Sequence, residues 1–431
     1  MKKFKKAITI SLAAVIMLSA LSGCNYLDEI SKNISIYLYT EEYKKEVKKQ
    51  APLEAEFNYT SEHIPVSQEM RYGYKELTDV EKEIYKRVDK AVKNYWNLID
   101  VSDLETNTNT LLKMFFYYHE SNPDVFWANS VNIVSNYDKE IGILITYSSE
   151  TETEIPDEKD YIIQNKVSRE KITESRIKFI QKTNEILKGI NKDANALEKE
   201  IYVYNYFLEN IQYDKELSNQ IRRKEDINST LTRSYAGIVN NKTICSGYSY
   251  AFAHILNLLG VNVVQVYGNS KGESHQWNMV EINGSYYHVD TTWASKNAVD
   301  NKNVPTYNYL NLTDSEIMVD HTIGAFSTVE SGPLEGMPPV PKTTDDTYSF
   351  KKFFMLDSTN LQNIEPINNV VKYNLHGLYV SFPQEKTIAQ MNVYVNENFD
   401  KINRQYQKIT GKKLSGRYFY GDIIDKCYLI N

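Results

Sequence analysis

The sequence predicts an α+β protein in which helices pack on an antiparallel sheet. A long amphipathic helix is predicted over residues 195–212, where apolar residues recur every three or four positions. A second helical stripe starts at Cys245 and ends near Gly260, where a left-handed C-cap belongs. Two strand-like runs then flank Asn283-Gly284, a dipeptide typical of a two-residue hairpin turn. These three observations place helices before the sheet along the chain.

The first 23 residues have the pattern of an export signal. A Lys-rich start is followed by an apolar run from Ala7 to Leu21, which is short for a membrane-spanning helix, and then by Ser22-Gly23-Cys24. This ending resembles the lipobox of bacterial lipoproteins, whose cysteine is lipidated and becomes the first mature residue. The resemblance implies a lipid anchor at Cys24 on the extracytoplasmic face of the bacterial cell membrane. An ordinary secretory signal with an incidental cysteine is the alternative.

Charge and cysteine content restrict the classes of partner and cofactor. The formal net charge of −7 becomes −11 when residues 1–23 and their four lysines are removed, so nucleic acid is not an expected partner. The chain has three cysteines, and with Cys24 lipidated one disulfide, Cys245 to Cys427, is arithmetically possible. No CxxC, HExxH or acidic calcium-loop pattern occurs in the sequence, which predicts neither a metal nor another cofactor.

Composition shifts divide the chain into predicted units. The acidic run over 150–160 and the four prolines in 331–346 mark two linkers. Residues 350–356 and 377–382 are predicted strands of a last unit, with a helix over 388–409 and a closing strand over 426–430. The predicted units are a signal peptide (1–23), a tether (24–58), an N-terminal α/β domain (59–149), a linker (150–168), a central domain (169–328), a Pro-rich linker (329–346) and a C-terminal α/β domain (347–431).

Cys245 is the first candidate for chemistry. It lies at the start of the predicted helix, where unpaired backbone N–H groups and the positive end of the helix dipole stabilise a thiolate. A thiolate is the reactive form of cysteine in nucleophilic catalysis. The alternative, a buried cysteine that acts as a small hydrophobic residue, stays open on position alone.

The hairpin brings a histidine and a carboxylate together. With Asn283-Gly284 as the turn, Ile282 faces Ser285, and the same register places His275 and Asp290 on one face as diagonal neighbours, roughly 7–8 Å apart. An imidazole oriented by a carboxylate is the base that an activated cysteine requires. His288 lies on the same face and is a competitor for this role. His254 is predicted to be a surface or core residue rather than a catalytic one, and His321 to cap or pack at a helix end.

Three separated motifs resemble the transglutaminase-like superfamily of papain-fold thiol enzymes. They are Cys245-Ser246-Gly247-Tyr248 with Ala251-Phe252, then His275-x-Trp277-Asn278, and then Tyr287-x-Val289-Asp290-x-Thr292-Trp293. The resemblance covers about residues 170–325. It implies a core of N-terminal helices and a Cys-bearing helix packed on an antiparallel sheet, with 169–328 as the catalytic domain between small α/β domains. It also implies Cys245 as nucleophile, His275 as general base and Asp290 as its orienter.

The oxyanion-stabilising donor is less well defined by the sequence. Family members use the backbone N–H of the cysteine and an upstream side-chain donor, often an indole. No Trp occurs between Trp127 and Cys245, and Tyr213 is the candidate in its place. Packing of Tyr213 at a helix end is the alternative.

These observations favour a cell-surface lipoprotein that hydrolyses amide or peptide bonds through a cysteine thioester. The alternatives are a protein-glutamine gamma-glutamyltransferase, which cross-links through an amine, and a non-catalytic surface binding protein. Hydrolysis is preferred because an amine-selective site must shield the thioester from water, and the upstream Trp is absent. The expected substrates are peptides, proteins or cell-wall peptides, and the oligomeric state is not predicted.

Overall fold

The computed structural model describes most of the chain beyond the N-terminal 36 residues. The described ranges are 37–136, 139–156, 163–164, 166–294, 307–324, 327–328, 332–375, 377–383, 387–414, 416–420 and 426–430. The predicted signal peptide and Cys24 therefore lie outside the described residues. Within the described residues, no helix is both long enough and apolar enough to span a bilayer.

The described part of the chain begins with a helical segment over 37–48, and eleven further α-helices come after it. They are α1 (Asp79–Asn94), α2 (Thr108–Ser121), α3 (Arg169–Leu187), α4 (Ala196–Asn210), α5 (Lys215–Arg222), α6 (Cys245–Leu258), α7 (Thr291–Ala294), α8 (Asp314–Ile317), α9 (Phe350–Phe354), α10 (Glu365–Lys372) and α11 (Ile388–Thr410). Short 3₁₀ turns occupy Gln68–Met70, Tyr74–Glu76 and Ser229–Thr232, and a π-helical turn occupies Ala236–Asn240.

The described strands are short, and most pair with antiparallel neighbours. They are β1 (Leu98–Asp100), β2 (Ala128–Asn136), β3 (Lys139–Tyr147), β4 (Ile155–Pro156), β5 (Ile163–Gln164), β6 (Gln212–Tyr213), β7 (Lys242–Thr243), β8 (Val263–Ser270), β9 (Glu273–Ile282), β10 (Ser285–Val289), β11 (His321–Ile323), β12 (Ser327–Thr328), β13 (Gly332–Pro333), β14 (Met355–Asp357), β15 (Leu378–Ser381), β16 (Gly416–Tyr420) and β17 (Lys426–Ile430).

Three sheets of three or four strands contain most of these strands, and the pairs β4-β5, β6-β7 and β12-β13 form two-stranded sheets. The N-terminal sheet has the order β1-β3-β2, the central antiparallel sheet has the order β10-β9-β8-β11, and the C-terminal sheet has the order β14-β15-β17-β16. Helix α6 packs against β8 and β9 of the central sheet. The predicted α+β class, with a Cys-bearing helix on an antiparallel sheet, is confirmed.

Local contacts define the start of α1 and the position of the segment before it. Thr78 begins α1 with a capping box, in which its side chain accepts from Glu81 N and the Glu81 side chain accepts from Thr78 N. Tyr43, on the helical segment within the predicted tether, is fully buried, and its hydroxyl donates to the carbonyl oxygens of Ile99 and Ile143. This contact attaches the 37–48 segment to the N-terminal sheet.

The central helices and hairpin agree with the sequence prediction. Asn195 caps α4 in a capping box with Glu198, and Gly260 after α6 has a φ of +79°. Asn283 and Gly284 have φ values of +51° and +85°, as a type I′ hairpin turn requires. The predicted register, which places Ser285 opposite Ile282, is therefore confirmed.

One predicted strand in the C-terminal region is wrong in part. Residues Phe350–Phe354 form helix α9, and the strand β14 begins only at Met355. The Ser349 side chain caps α9 by accepting from Lys352 N, and Phe350 and Phe354 are both buried, four residues apart on one helical face. The phenylalanine spacing is helical, although its residue types favour strands.

A single hydrophobic cluster runs through the N-terminal, central and C-terminal regions. Its central and C-terminal parts meet at an aromatic column, in which the Tyr307 ring stacks on Tyr204 at 5.7 Å and on Phe350 at 6.0 Å. Phe350 in turn meets Tyr379 edge-on at 5.0 Å. The Pro-rich segment also packs, since the Tyr72 hydroxyl donates to the carbonyl oxygen of Pro339 at 2.8 Å. The domain boundaries stay predictions within this shared core.

Candidate active site

Cys245 is the first residue of α6 and carries a free thiol. The preceding residue, Ile244, has an extended backbone and a hydrocarbon side chain, so it cannot cap the first N–H groups of the helix. Cys245 itself is partly exposed, whereas nearly every residue after it in α6 is buried. The sulfur therefore lies at an accessible helix N-terminus, and the disulfide alternative is wrong.

The start of α6 is fixed by contacts on several sides. A Cβ added to Gly247 would lie 1.9 Å from Thr243 Oγ1, so the helix approaches β7 closely. Thr243 Oγ1 donates to Leu231 O, and Ser246 Oγ donates to Thr232 O, each at 2.8 Å. These contacts hold Cys245 in a defined position relative to the sheet.

His275 on β9 and Asp290 immediately after β10 are in direct contact. The Nε2 atom of His275 lies 2.6 Å from Oδ2 of Asp290, and both side chains are buried. The hairpin register places the two residues diagonally, as predicted, and their side chains close the remaining distance. Since Nε2 is occupied by Asp290, the Nδ1 edge of the ring is left for the thiol.

Asp290 is held by four hydrogen-bond donors. Its Oδ1 accepts from the backbone N–H groups of Thr292 at 2.8 Å and Trp293 at 3.0 Å. Its Oδ2 is shared by His275 and by Nε2 of His321, the latter at 3.1 Å. A carboxylate with this many donors is strongly stabilised in its ionised form.

The electrostatics of the pair follow from these contacts. Burial alone would lower the pKa of His275, but the attraction and hydrogen bond of Asp290, with a further contribution from Cys245, raise it to about 10. Burial would raise the pKa of Asp290, yet His275 and His321 hold it well below its usual value. An imidazolium beside a sulfur is the arrangement that stabilises a thiolate.

Comparison with known proteins gives a domain-level match for this region. Residues 181–291, which include all three groups, match the model of the transglutaminase-like superfamily. The chain contains a transglutaminase-like domain. Kyphoscoliosis peptidase of Mus musculus is 28% identical over 125 residues, a match that covers 26% of this chain and only 18% of that protein. A solved structure described as the crystal structure of a TGase is 15% identical, covers 48% of this chain and 52% of its own, and superposes with a TM-score of 0.26.

His288 of the transglutaminase-like domain has other partners. The indole Nε1 of Trp277 donates to its Nδ1, and its Nε2 lies 3.1 Å from Asp314 Oδ1. Burial lowers the pKa of His288 to about 4, against the opposing effect of Asp314. In the structure His288 is therefore neutral, and its two ring nitrogens contact Trp277 and Asp314 rather than Asp290.

Tyr213 lies beside the thiol because β6 pairs in parallel with β7. This pairing sets Tyr213 opposite Thr243, two residues before Cys245. Burial raises the pKa of Tyr213, its contact with Ser218 lowers it, and the Coulomb interaction with Cys245 raises it further. The Tyr213 hydroxyl donates a long, 3.4 Å hydrogen bond to Ser218 Oγ, and its single proton would have to leave this acceptor to serve an oxyanion.

Two further residues belong to the site. The sequence predicts His321 at a helix end, which is wrong: it begins β11 and its ring meets Asp290. Trp293 lies in α7, with its ring centroid 6.0 Å from that of His275 and Lys271 Nζ 4.1 Å from the ring. The adjacent Asp320-His321 pair is a sequence signal that could have pointed to a histidine paired with a carboxylate.

His275, Asp290 and His321 also form a group whose ligating atoms all lie within 4.8 Å of one another. Ligand atoms around a Zn²⁺ ion bound at about 2.0–2.2 Å are separated by more than roughly 3 Å. The 2.6 Å separation of His275 Nε2 and Asp290 Oδ2 is shorter than this. The spacing fits a direct hydrogen bond better than a shared metal ion.

Proposed function

We propose that the transglutaminase-like domain is a thiol enzyme that hydrolyses amide bonds of peptides or proteins through a thioester on Cys245. The observation that carries the proposal is His275, whose Nε2 is held by Asp290 at 2.6 Å while Cys245 contributes to its raised pKa. Nucleophile, base and orienter are thus in contact in the order that cysteine-dependent acyl transfer requires.

The roles of the three groups follow from their positions. The Cys245 sulfur attacks the amide carbon, and the thiol proton resides on His275 Nδ1. His275 then gives this proton to the leaving amine as the C–N bond breaks, which leaves a thioester. Water attacks the thioester, His275 accepts a proton from the water, and the carboxylic acid leaves as the thiol is regenerated. Asp290 keeps the Nε2–H of His275 directed away from the sulfur throughout.

The tetrahedral intermediate needs donors for its oxyanion. The backbone N–H of Cys245 at the helix N-terminus is one donor, since the first N–H groups of a helix have no intrahelical partner. The Tyr213 hydroxyl is the second in this proposal. Its Coulomb interaction with Cys245 supports this role, because the two groups are close enough to interact.

Two observations bear on the choice between water and an amine as the second substrate. The mouse relative is named a peptidase, which supports hydrolysis, and Cys245 is accessible to solvent. The Trp293 ring beside His275 favours the alternative, a transglutaminase, because an aromatic wall can shield a thioester from water. A non-catalytic surface binding protein is the third possibility and needs no reactive thiol.

The decisive experiment offers both acceptors at once. Mature protein is incubated with a glutamine-containing peptide and an excess of a labelled primary amine, and products are analysed by mass spectrometry beside Cys245→Ala. Cleaved or deamidated peptide with little label, lost in the variant, supports hydrolysis. Predominant amine incorporation identifies a transglutaminase, and no Cys245-dependent product with peptides, proteins or cell-wall digests contradicts the enzyme proposal.

We also propose that the protein acts at the cell surface, anchored by lipid on Cys24. The Lys-rich start, the short apolar run and the Leu21-Ser22-Gly23-Cys24 ending support this location. Peptides, surface proteins or cell-wall peptides would then be the accessible substrates. The negative charge of the mature chain supports a partner other than nucleic acid.

A further inference from the structure

A second buried histidine touches the same carboxylate as His275. His321 is 1% exposed, and its Nε2 lies 3.1 Å from Asp290 Oδ2. Its other ring nitrogen, Nδ1, lies 2.6 Å from Oδ1 of Asp320. The Tyr309 hydroxyl donates to the remaining oxygen of Asp320 at 2.8 Å. The imidazole of His321 is thus placed between two carboxylates.

The protonation state of His321 follows from its partners. Ionised carboxylates only accept hydrogen bonds, so a ring that contacts one with each nitrogen must carry a proton on both. Asp290 is ionised because it accepts four bonds, and Asp320 is paired with Tyr309 and His321. Burial would lower the pKa of His321, but the bonds to Asp290 and Asp320 raise it. A carboxylate at each ring nitrogen thus favours the imidazolium form of His321.

The contact also joins distant parts of the sheet. In the order β10-β9-β8-β11, β10 and β11 are the two edge strands, yet Asp290 follows β10 and His321 begins β11. The two side chains therefore meet at 3.1 Å across β9 and β8. The His321 to Asp290 bond links the two edges of the sheet at the site.

We infer that His321 is a positioning residue of the reaction: it fixes Asp290 against His275 and, through its positive charge, limits how tightly His275 holds its proton. The inference rests on the proposed function, in which His275 must both accept and release a proton. A base held too strongly by one carboxylate would release its proton poorly to the leaving amine. A second cation on the same carboxylate oxygen counteracts this effect by Coulomb repulsion.

Several charged or titratable groups surround His321 and enter the test. Asp290 and Asp320 bond to it, Tyr309 lies with its ring centroid 5.7 Å away, and the His275 ring lies 5.5 Å away. The charge of His321 also lowers the pKa of His288, which lies across the Trp277 ring. Of these, His275 and Asp290 belong to the proposed reaction, so their response separates a positioning role from a structural one.

Two substitutions separate the charge of His321 from its hydrogen bond. His321→Gln keeps a neutral donor toward Asp290, and His321→Leu removes both charge and donor. We expect kcat to fall about tenfold for the first and about a hundredfold for the second, with KM changed less than about twofold. In His321→Gln the alkaline limb of the kcat/KM profile should move up by roughly half to one pH unit, because His275 loses a cationic neighbour.

The matched control is His119→Gln. His119 is equally buried and lies in α2, where its ring packs on Phe115. We expect its pH profile and kcat to match those of the wild type. A His321→Leu enzyme with wild-type kcat and wild-type alkaline limb would overturn the inference while leaving the proposed function intact.

A second measurement needs no substrate. In ¹⁵N-histidine-labelled wild-type protein, the His321 ring should show two protonated nitrogens at pH 7, and His275 should titrate at higher pH in His321→Gln. A neutral His321 ring at pH 7, or an unchanged His275 titration, would overturn the inference. If wild-type protein instead turns over no amide, the proposed function fails and the ring spectra still decide the role of His321.

Discussion

The indole N–H of Trp277 donates a 3.0 Å hydrogen bond to Nδ1 of His288. An acceptor nitrogen cannot carry a proton, so the His288 proton resides on Nε2, which faces Asp314 Oδ1 at 3.1 Å. Both ring nitrogens of His288 are therefore occupied, and its side chain is fully buried. His275, by contrast, has Nε2 on Asp290 and also interacts with the thiol of Cys245. This difference separates two histidines that share one face of the hairpin.

The two histidines should therefore respond differently to substitution. His275→Ala should lower Cys245-dependent turnover by at least about 10³-fold and slow iodoacetamide alkylation of Cys245, because the imidazolium beside the sulfur is lost. His288→Gln should retain activity within about tenfold but lower thermal stability, since it disrupts a buried hydrogen-bonded pair. Turnover and alkylation rates measured for both variants check this, and the reverse order would refute the assignment of the base.

Tyr213→Phe tests the second oxyanion donor. Loss of the hydroxyl should lower kcat by roughly 10- to 100-fold, since a transition-state donor is removed, while the alkylation rate of Cys245 stays unchanged. Tyr206→Phe, at a partly buried tyrosine of α4, is the matched control and should retain full activity. If Tyr213→Phe also retains full kcat, the donor is another group.

Gly247→Ala tests the close approach of α6 to β7. The added Cβ would lie 1.9 Å from Thr243 Oγ1, so the helix start must shift. We expect a loss of about 1–3 kcal/mol in the free energy of unfolding and a lower kcat, measured by urea denaturation and turnover. Thr243→Ala in the same chain should restore part of the stability. A variant as stable and as active as the wild type would show that the helix start adapts freely.

Stability should fall in mild acid because buried histidines are kept neutral. Burial lowers the pKa of His254 and of His288 to about 4 each, and also lowers that of His119. Between roughly pH 6.5 and 4 the unfolded chain binds protons that the folded chain does not, so folding weakens as pH falls through this window. His275 acts oppositely, since its raised pKa adds stability below about 6.5 that is lost as pH rises through about 10.

Urea denaturation at pH 7 and pH 5 measures this effect directly. His254→Leu should reduce the difference between the free energies of unfolding at pH 7 and pH 5. It removes one imidazole that stays neutral in the folded state and becomes protonated in the unfolded state. Equal stability of the wild type at pH 7 and pH 5 would contradict the prediction.

Cys24→Ala tests the proposed anchor. In a bacterial host that processes lipoproteins, the variant should lose metabolic labelling by fatty acid and should be either retained uncleaved or released. Detergent partitioning and palmitate labelling of the wild type and the variant measure this. Unchanged lipid labelling of Cys24→Ala would contradict the proposed location.

The hairpin could be predicted because its determinants are local. Asn283-Gly284 fixes the turn, the turn fixes the register, and the register alone places His275 beside Asp290. His321 could not be found this way. Its contact with Asp290 joins the two edge strands of a four-stranded sheet, and no short pattern in the sequence reports a contact over that range.

The Phe350–Phe354 helix shows a different limit. Its five residues include three phenylalanines, which favour strands. A segment this short fits the hydrophobic repeat of a helix and that of a strand equally well. The cap at Ser349 and the burial of Phe350 and Phe354 against the aromatic column stabilise the helical conformation. Tertiary packing outweighs local preference there.

The aromatic column of Tyr204, Tyr307, Phe350 and Tyr379 has a consequence for how such chains diversify. A unit that keeps its own sealed core can be copied into a new protein by recombination and still fold. Here a cut between the central and C-terminal regions would expose stacked rings on both sides of the break. We therefore expect the C-terminal region to be retained with the thiol-bearing centre when such a chain recombines, because separating them would leave the aromatic column unburied on both sides.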